Sequence, residues 1–299
     1  MGDPAVWLRL ALYLDLLLAF GVPAFVLTAP AAVGEALKFR AGLLAAGVLG
    51  VVLSGLGLLS LAAGMADVSV WNVDRGTLAS VLEGTAVGAA WIVRISSLVL
   101  LAVGLAMVRG RAGTALAAMC GAVAAATLAW SGHGAMDEGT LGALHLVADV
   151  MHVLAAGLWF GALLVFVLLV WRAGTTADER YSLMTAEALA SFAATGAWTV
   201  AILTASGVVN LWLVVGPAGL TDIPTTTYRR LLLAKLALFA GMLALAATHR
   251  FRYGPALEGA VDAGARQVTL RRLRVTLVVE ATGAGAVLAL VAWLGTLEP

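Results

Sequence analysis

Residues 143–171 read ALHLVADVMHVLAAGLWFGALLVFVLLVW, twenty-nine positions without Lys, Arg or Glu and with three titratable side chains, His145, Asp149 and His152. A run this long and apolar is a membrane span. About 20 such residues cross the hydrocarbon core of a bilayer, and a helix satisfies every backbone N–H and C=O within the segment, as lipid requires. Outward from this stretch, apolar runs broken by charges, Gly and Pro place eight helices near 5–29, 41–64, 86–108, 113–131, 143–171, 190–216, 230–248 and 275–296. The expected fold is all-α, a single transmembrane domain over residues 1–299, with its longest early connection from Met65 to Thr85. The first run carries Arg9 and Asp15 and is followed by Pro30. It reads as a retained helix rather than a removed signal peptide.

Composition excludes other classes. Apolar residues make up 62% of the chain and charged residues 12%, against about 25% charged in soluble domains. No sizeable soluble domain fits beside eight spans. A net charge of +1 gives no field for nucleic acid. The single cysteine, Cys120, precludes an intramolecular disulfide and any CxxC motif. No Walker loop, nucleophile elbow or dinucleotide fingerprint occurs, and no enzymatic chemistry is expected.

The basic residues set the orientation, because loops rich in Lys and Arg stay cytoplasmic. Twelve of the eighteen fall in the connections after the first, third, fifth and seventh helices: Lys38 and Arg40; Arg109 and Arg111; Arg172 and Arg180; and Arg250, Arg252, Arg266, Arg271, Arg272 and Arg274. The opposite connections hold Arg75, Arg229 and Arg230. Both termini are expected on the periplasmic side. Arg9, Asp15, Arg94, Asn210 and Lys235 then all lie in the outer halves of their helices, and their shared depth points to one polar cavity open to the outside. The alternative is that the basic groups snorkel to the headgroups and Asp15 pairs with one of them. Glu280, near the inner end of the eighth helix, is expected to pair with an arginine of the preceding loop.

At 100° per residue, His145, Asp149 and His152 share one narrow stripe of the fifth helix, which Trp159 continues inward. The two histidines are about 10.5 Å apart along the axis, too far for one ion to hold comfortably. Each is within a turn of Asp149, so adjacent pairs supply two donors each, or Asp149 orients an imidazole. Further ligands must come from elsewhere, and His133 and Met136 lie in the outer loop joined to this helix. Imidazole suits Zn, Cu, Fe and Ni, and thioether sulfur favours Cu(I), so the mixture leans toward copper. The spacing His-x-x-x-Asp-x-x-His differs from the HExxH zinc-protease motif. Two GxxxG pairs, Gly84/Gly88 and Gly157/Gly161, allow close helix packing.

The run from His145 to Gly161 resembles the copper resistance protein D (CopD) family of bacterial inner-membrane proteins. Three further stretches agree: Leu10 to Asp15 with its first helix, Ser206 to Trp212 with its sixth, and Leu231 to Arg250, including Lys235 and His249, with its seventh. The resemblance implies an eight-helix, multi-pass protein of copper homeostasis that moves copper from periplasm to cytoplasm, often with a small periplasmic copper-binding partner of the CopC type. The function expected is a permease with copper ion as cargo and a metal site formed by His133, Met136, His145, Asp149 and His152. Two alternatives stay open: a haem b electron-transfer protein, whose axial ligands would be transmembrane histidines, and a copper sensor or assembly partner that binds without transporting.

Overall fold

A computed structural model describes residues 4–131, 139–176, 179–219, 226–260 and 262–297. Among them there is no strand. The helices are α1 (Pro4–Thr28), α2 (Ala31–Leu37), α3 (Arg40–Ala66), α4 (Arg75–Gly84), α5 (Ala86–Met107), α6 (Gly110–Ala126), α7 (Gly139–Thr176), α8 (Glu179–Gly219), α9 (Thr227–Thr248), α10 (Gly254–Glu258) and α11 (Ala263–Leu294). Eight are long and apolar enough to cross a bilayer: α1, α3, α5, α6, α7, α8, α9 continued through α10, and α11.

The expected spans coincide with these helices, but two begin well before the apolar run does. α8 starts at Glu179 rather than near 190, and α11 at Ala263 rather than near 275. Their first turns are polar. Charge ends a hydrophobic run, yet it does not end a helix when no Pro or Gly interrupts and the end is capped. Asp262 supplies that cap for α11, its Oδ1 accepting from the Ala265 N–H at 2.7 Å. The connection from Met65 to Thr85 is likewise ordered, holding a 3₁₀ turn at Val70–Asn72 and α4, which Asp74 caps through the Thr77 N–H at 2.7 Å. At the far end of α8 the helix breaks at Gly216, whose φ of 67° and ψ of 167° suit glycine.

α1 is the central helix, packed against α3, α6, α7 and α11. Glycine makes two of those contacts possible. A Cβ on Gly21 would lie 1.8 Å from the Gly157 carbonyl oxygen, and one on Gly121 of α6 would lie 2.6 Å from the Ala19 carbonyl oxygen. The backbones of α1, α6 and α7 thus touch with no side chain between them, as small-xxx-small packing allows. Gly157 and Gly161 face α1. Gly88 instead seats the α4–α5 corner, its hydrogens against the Val81 and Leu82 carbonyls, while Gly84 faces open space. On the other half of the bundle α1, α7 and α8 meet through Phe25, Phe166 and Phe192, with ring centroids 5.1–5.9 Å apart in edge-to-face geometry.

α1 begins and α11 ends at one face, the terminal face. The opposite face carries the basic connections, where arginines cover helix ends. Arg111 donates to the Leu27 carbonyl at 2.9 Å, and Arg40 to those of Ala106 and Val108 at 3.1 and 3.2 Å. The last carbonyls of a helix lack partners and carry partial negative charge, so a guanidinium there satisfies both needs.

Candidate metal centre

The titratable face of α7 meets α8 in the terminal half of the bundle. His145 is 2% exposed, and its Nε2 stands 4.0 Å from Oδ2 of Asp149 one turn on. Oδ1 of Asp149 accepts from the Asn210 amide of α8 at 2.6 Å. One further turn along, Nδ1 of His152 lies 3.0 Å from the Ser206 hydroxyl, also on α8. A hydroxyl has a single hydrogen, and Ser206 gives it to the Ile202 carbonyl at 2.6 Å. Ser206 therefore accepts from His152, Nδ1 carries the proton, and Nε2 keeps its lone pair for a metal. Among the described residues the buried carbonyl oxygen of Asn210 has no hydrogen-bond partner.

His152, Asn210 and Lys235 line a cavity of about 310 Å³ between α7, α8 and α9, walled on its inner side by Trp159 and Phe239. Lys235 thus places a basic side chain in the same cavity as His152 and Asn210. His133 and Met136, together with Asp137 and Glu138, lie outside the described residues. Among the described residues no group of three or more His, Cys, Asp or Glu side chains is placed to hold a metal ion. Along α7 the structure brings Asp149 to 4.0 Å from His145 and turns His152 to Ser206 of α8.

The remaining polar residues do not join this cavity, contrary to the expectation of a single one. Arg9, Tyr13, Ser54 and Arg94 line a separate space of about 500 Å³ among α1, α3 and α5. Arg94 is 6% exposed and does not snorkel. Its Nε donates to Thr127 Oγ1 at 2.7 Å and Nη2 to the Thr127 carbonyl at 3.3 Å, where the end of α6 tightens into a 3₁₀ turn. Asp15 is buried with Oδ2 unpartnered, directed at Gly50 of α3. Among the described residues it forms no ion pair with Arg9, Arg94 or Lys235, so the expected pairing is not found. Ser54 Oγ, one turn beyond Gly50, is also buried without a partner.

A second polar cluster sits nearer the basic face. The Trp159 indole N–H donates to Glu280 Oε1 at 2.9 Å, and Glu280 Oε2 lies 3.1 Å from His249 Nδ1. Glu280 is 1% exposed. Its partner is a histidine of the π-helical turn His249–Tyr253, not an arginine of the preceding loop. His249 is buried. No local pattern links Trp159 to Glu280, 121 residues away. Only the inward continuation of the α7 stripe pointed to it.

Two family models match the chain: "Copper resistance protein D-like, N-terminal domain" over residues 1–143 and "Copper resistance protein D" over residues 186–294. A "Copper resistance protein D" of Pseudomonas syringae pv. tomato is 38% identical over 306 residues, covering 100% of this chain and 98% of that one. The chain belongs to the copper resistance protein D family. In this CopD protein Asn210, Lys235, His249 and Glu280 fall inside the second matched segment, while His145 to Trp159 lie between the two. "Inner membrane protein YebZ" of Escherichia coli strain K12 is 31% identical over 173 residues, 58% of this chain and 55% of that protein. With eight apolar helices, these relatives identify a multi-pass inner-membrane protein of copper resistance. The bd oxidase of Geobacillus thermodenitrificans shares the fold, with a TM-score of 0.59, 11% identity, 99% of this chain and 88% of that one covered. At that identity the likeness extends to the fold alone.

Proposed function

We propose that this CopD protein is a copper permease that takes copper at a periplasmic terminal face and releases it into the cytoplasm. One observation carries the reading: Ser206 fixes the His152 proton on Nδ1, which leaves Nε2 unprotonated on a residue that shares a cavity with the unpartnered Asn210 carbonyl oxygen. A neutral imidazole nitrogen and an amide oxygen beside a carboxylate form a donor set for a d-block cation. His133 and Met136, in the run leading into α7, serve as capture ligands, and a periplasmic carrier of the CopC type delivers the ion to them. His145, Asp149 and His152 pass it inward in steps.

The sequence has no ATP-hydrolysing motif, so the membrane potential, the ion gradient or a cytoplasmic copper sink drives the movement. One charge crossing 100 mV is worth about 2.3 kcal/mol. The test is copper uptake into proteoliposomes holding a copper indicator. His145→Ala and His152→Ala each abolish uptake while the protein remains folded and monodisperse; normal uptake by both would end the proposal. A visible spectrum of the purified protein separates the haem reading, which requires a Soret band.

A further inference from the structure

We propose that His249 and Glu280 form a second, inner binding station for the transported metal ion. The proposal rests on the permease reading and supplies its inward step. It follows from counting hydrogens. His249 Nε2 lies 2.9 Å from the Thr276 hydroxyl, whose own hydrogen is turned to the carbonyls of Arg272 and Leu273 at 3.1 and 3.0 Å. With that hydrogen given to a carbonyl, Thr276 accepts and His249 Nε2 donates. Nδ1 of the same ring lies 3.1 Å from Glu280 Oε2, at ion-pair distance. That oxygen is buried and has no hydrogen bond of its own. A ring nitrogen and a carboxylate oxygen this close in a low-dielectric interior share a cation, which is a proton or a metal ion in the proton's place.

The separation suits a metal. Two adjacent ligands of a tetrahedral ion with bonds of about 2.0–2.2 Å stand roughly 3.4 Å apart. The other groups behave as supports of such a site. Thr276 fixes the tautomer of His249, and the Trp159 indole occupies Glu280 Oε1 and so aims Oε2 at the histidine. Tyr253 stacks on the imidazole, with centroids 6.1 Å apart. Arg250, the nearest competing cation in sequence, is drawn off to the Ala193 carbonyl at 2.8 Å.

The position fits an exit. His249, Glu280 and Trp159 line a cavity of about 400 Å³ whose wall reaches Arg250 and the exposed Phe251 at the basic face. Trp159 also lines the cavity of His152 and Asn210. One indole is thus the partition between the two chambers, about 10.5 Å inward of His152 along α7, and its hydrogen bond to Glu280 holds it there.

The experiment is copper binding to the full-length protein in detergent, by equilibrium dialysis with Cu²⁺ and by chelator competition with Cu⁺ under anaerobic reduction. Glu280→Gln and His249→Asn should each bind one ion fewer per chain than wild type in at least one oxidation state, and take copper into proteoliposomes at least tenfold more slowly. Glu280→Gln still accepts from Trp159, so its melting temperature reports whether the fold is kept. His152→Ala should lose a different ion and keep the inner one. Wild-type stoichiometry and affinity in both inner variants, with loss in His152→Ala, would overturn the inner station and leave the outer site standing. Loss in the inner variants with none in His152→Ala would support the station and remove the outer site. A lowered melting temperature with unchanged stoichiometry would mean that the pair only braces α9 against α11, and would overturn the station.

Discussion

Replacing Gly161 or Gly21 with alanine should separate α7 from α1. A Cβ on Gly161 would lie 2.0 Å from the Gly21 carbonyl carbon and 2.3 Å from its oxygen; one on Gly21 would lie 1.8 Å from the Gly157 oxygen. Every atom in the way is backbone, so no rotamer change relieves the clash. Real Cβ atoms keep at least about 3.0 Å from such neighbours, and the crossing must open by roughly 1 Å. A gap of that size forfeits about a quarter to a half of each dispersion contact along the seam, and over-packing typically costs about 1–3 kcal/mol. At roughly 2–4 °C per kcal/mol for a large domain, melting in detergent should fall by about 2–12 °C. The same shift is as large as the margin of the 2.6 Å and 3.0 Å bonds that hold Asp149 and His152 to α8, so uptake per folded molecule should fall as well. Gly55→Ala on α3, where nothing lies within 4 Å, is the control and should be neutral or mildly stabilising. Wild-type melting and transport by both Gly161→Ala and Gly21→Ala would refute a backbone clash at this crossing.

Asn210→Leu removes the amide that donates to Asp149 at 2.6 Å. A hydrogen bond to a charged group is worth about 1.5–3 kcal/mol, so denaturant midpoints should drop and copper affinity weaken, and unchanged values of both would contradict the site. Thr127→Val deletes the hydroxyl that accepts from Arg94 Nε at 2.7 Å and should cost about 1–3 kcal/mol in thermal unfolding without altering the inner cavity's copper binding. At the α4 cap, the Thr77 N–H holds the exposed Asp74 carboxyl below its ordinary value of 3.8. A depressed folded pKa gives stability that is complete above the unfolded value and is lost as pH falls through the lower, folded one. Amide exchange in α4 should therefore accelerate below about pH 4, and Asp74→Ala should exchange faster at neutral pH with that acid step gone.

Eight spans were legible because hydrocarbon tolerates so few residue types that apolar length alone marks them. Their ends were less so. Arg180 and Glu187 in α8, and Arg266 to Arg274 in α11, read as connection because hydropathy reports which residues sit in lipid and says nothing of where hydrogen bonding stops. The α7 stripe was legible for the same reason helices have a face. Its pairwise character was read from spacing, which placed both histidines within a turn of Asp149; the structure brings His145 to 4.0 Å from Asp149 and turns His152 to Ser206. Depth placed Asn210 near Asp149 but not in contact with it, since contact depends on how α7 and α8 cross, 61 residues apart. Depth also misled: Arg94 and Lys235 lie at similar levels yet line different cavities, because α1 stands in the middle of the bundle. The Glu280–His249 pair escaped because a charged group near arginines invites the nearest partner in sequence, whereas burial selected a histidine from the turn that ends α9.

The central place of α1 bears on how the protein is made. α1 leaves the ribosome first, but Gly161 of α7 follows Gly21 by 140 residues, roughly 7–28 s of synthesis. For that interval a helix that will pack against four others stands among lipids with Arg9 and Asp15 on it. α3 arrives much sooner, and Gly50 leaves a notch that receives the Asp15 carboxyl, where a Cβ would sit 2.6 Å from Oδ2. The α1–α3 hairpin thereby shields the acidic group before the rest of the bundle exists. Damage at Gly50 should accordingly register in how many chains mature in the cell more than in how firmly the survivors stand.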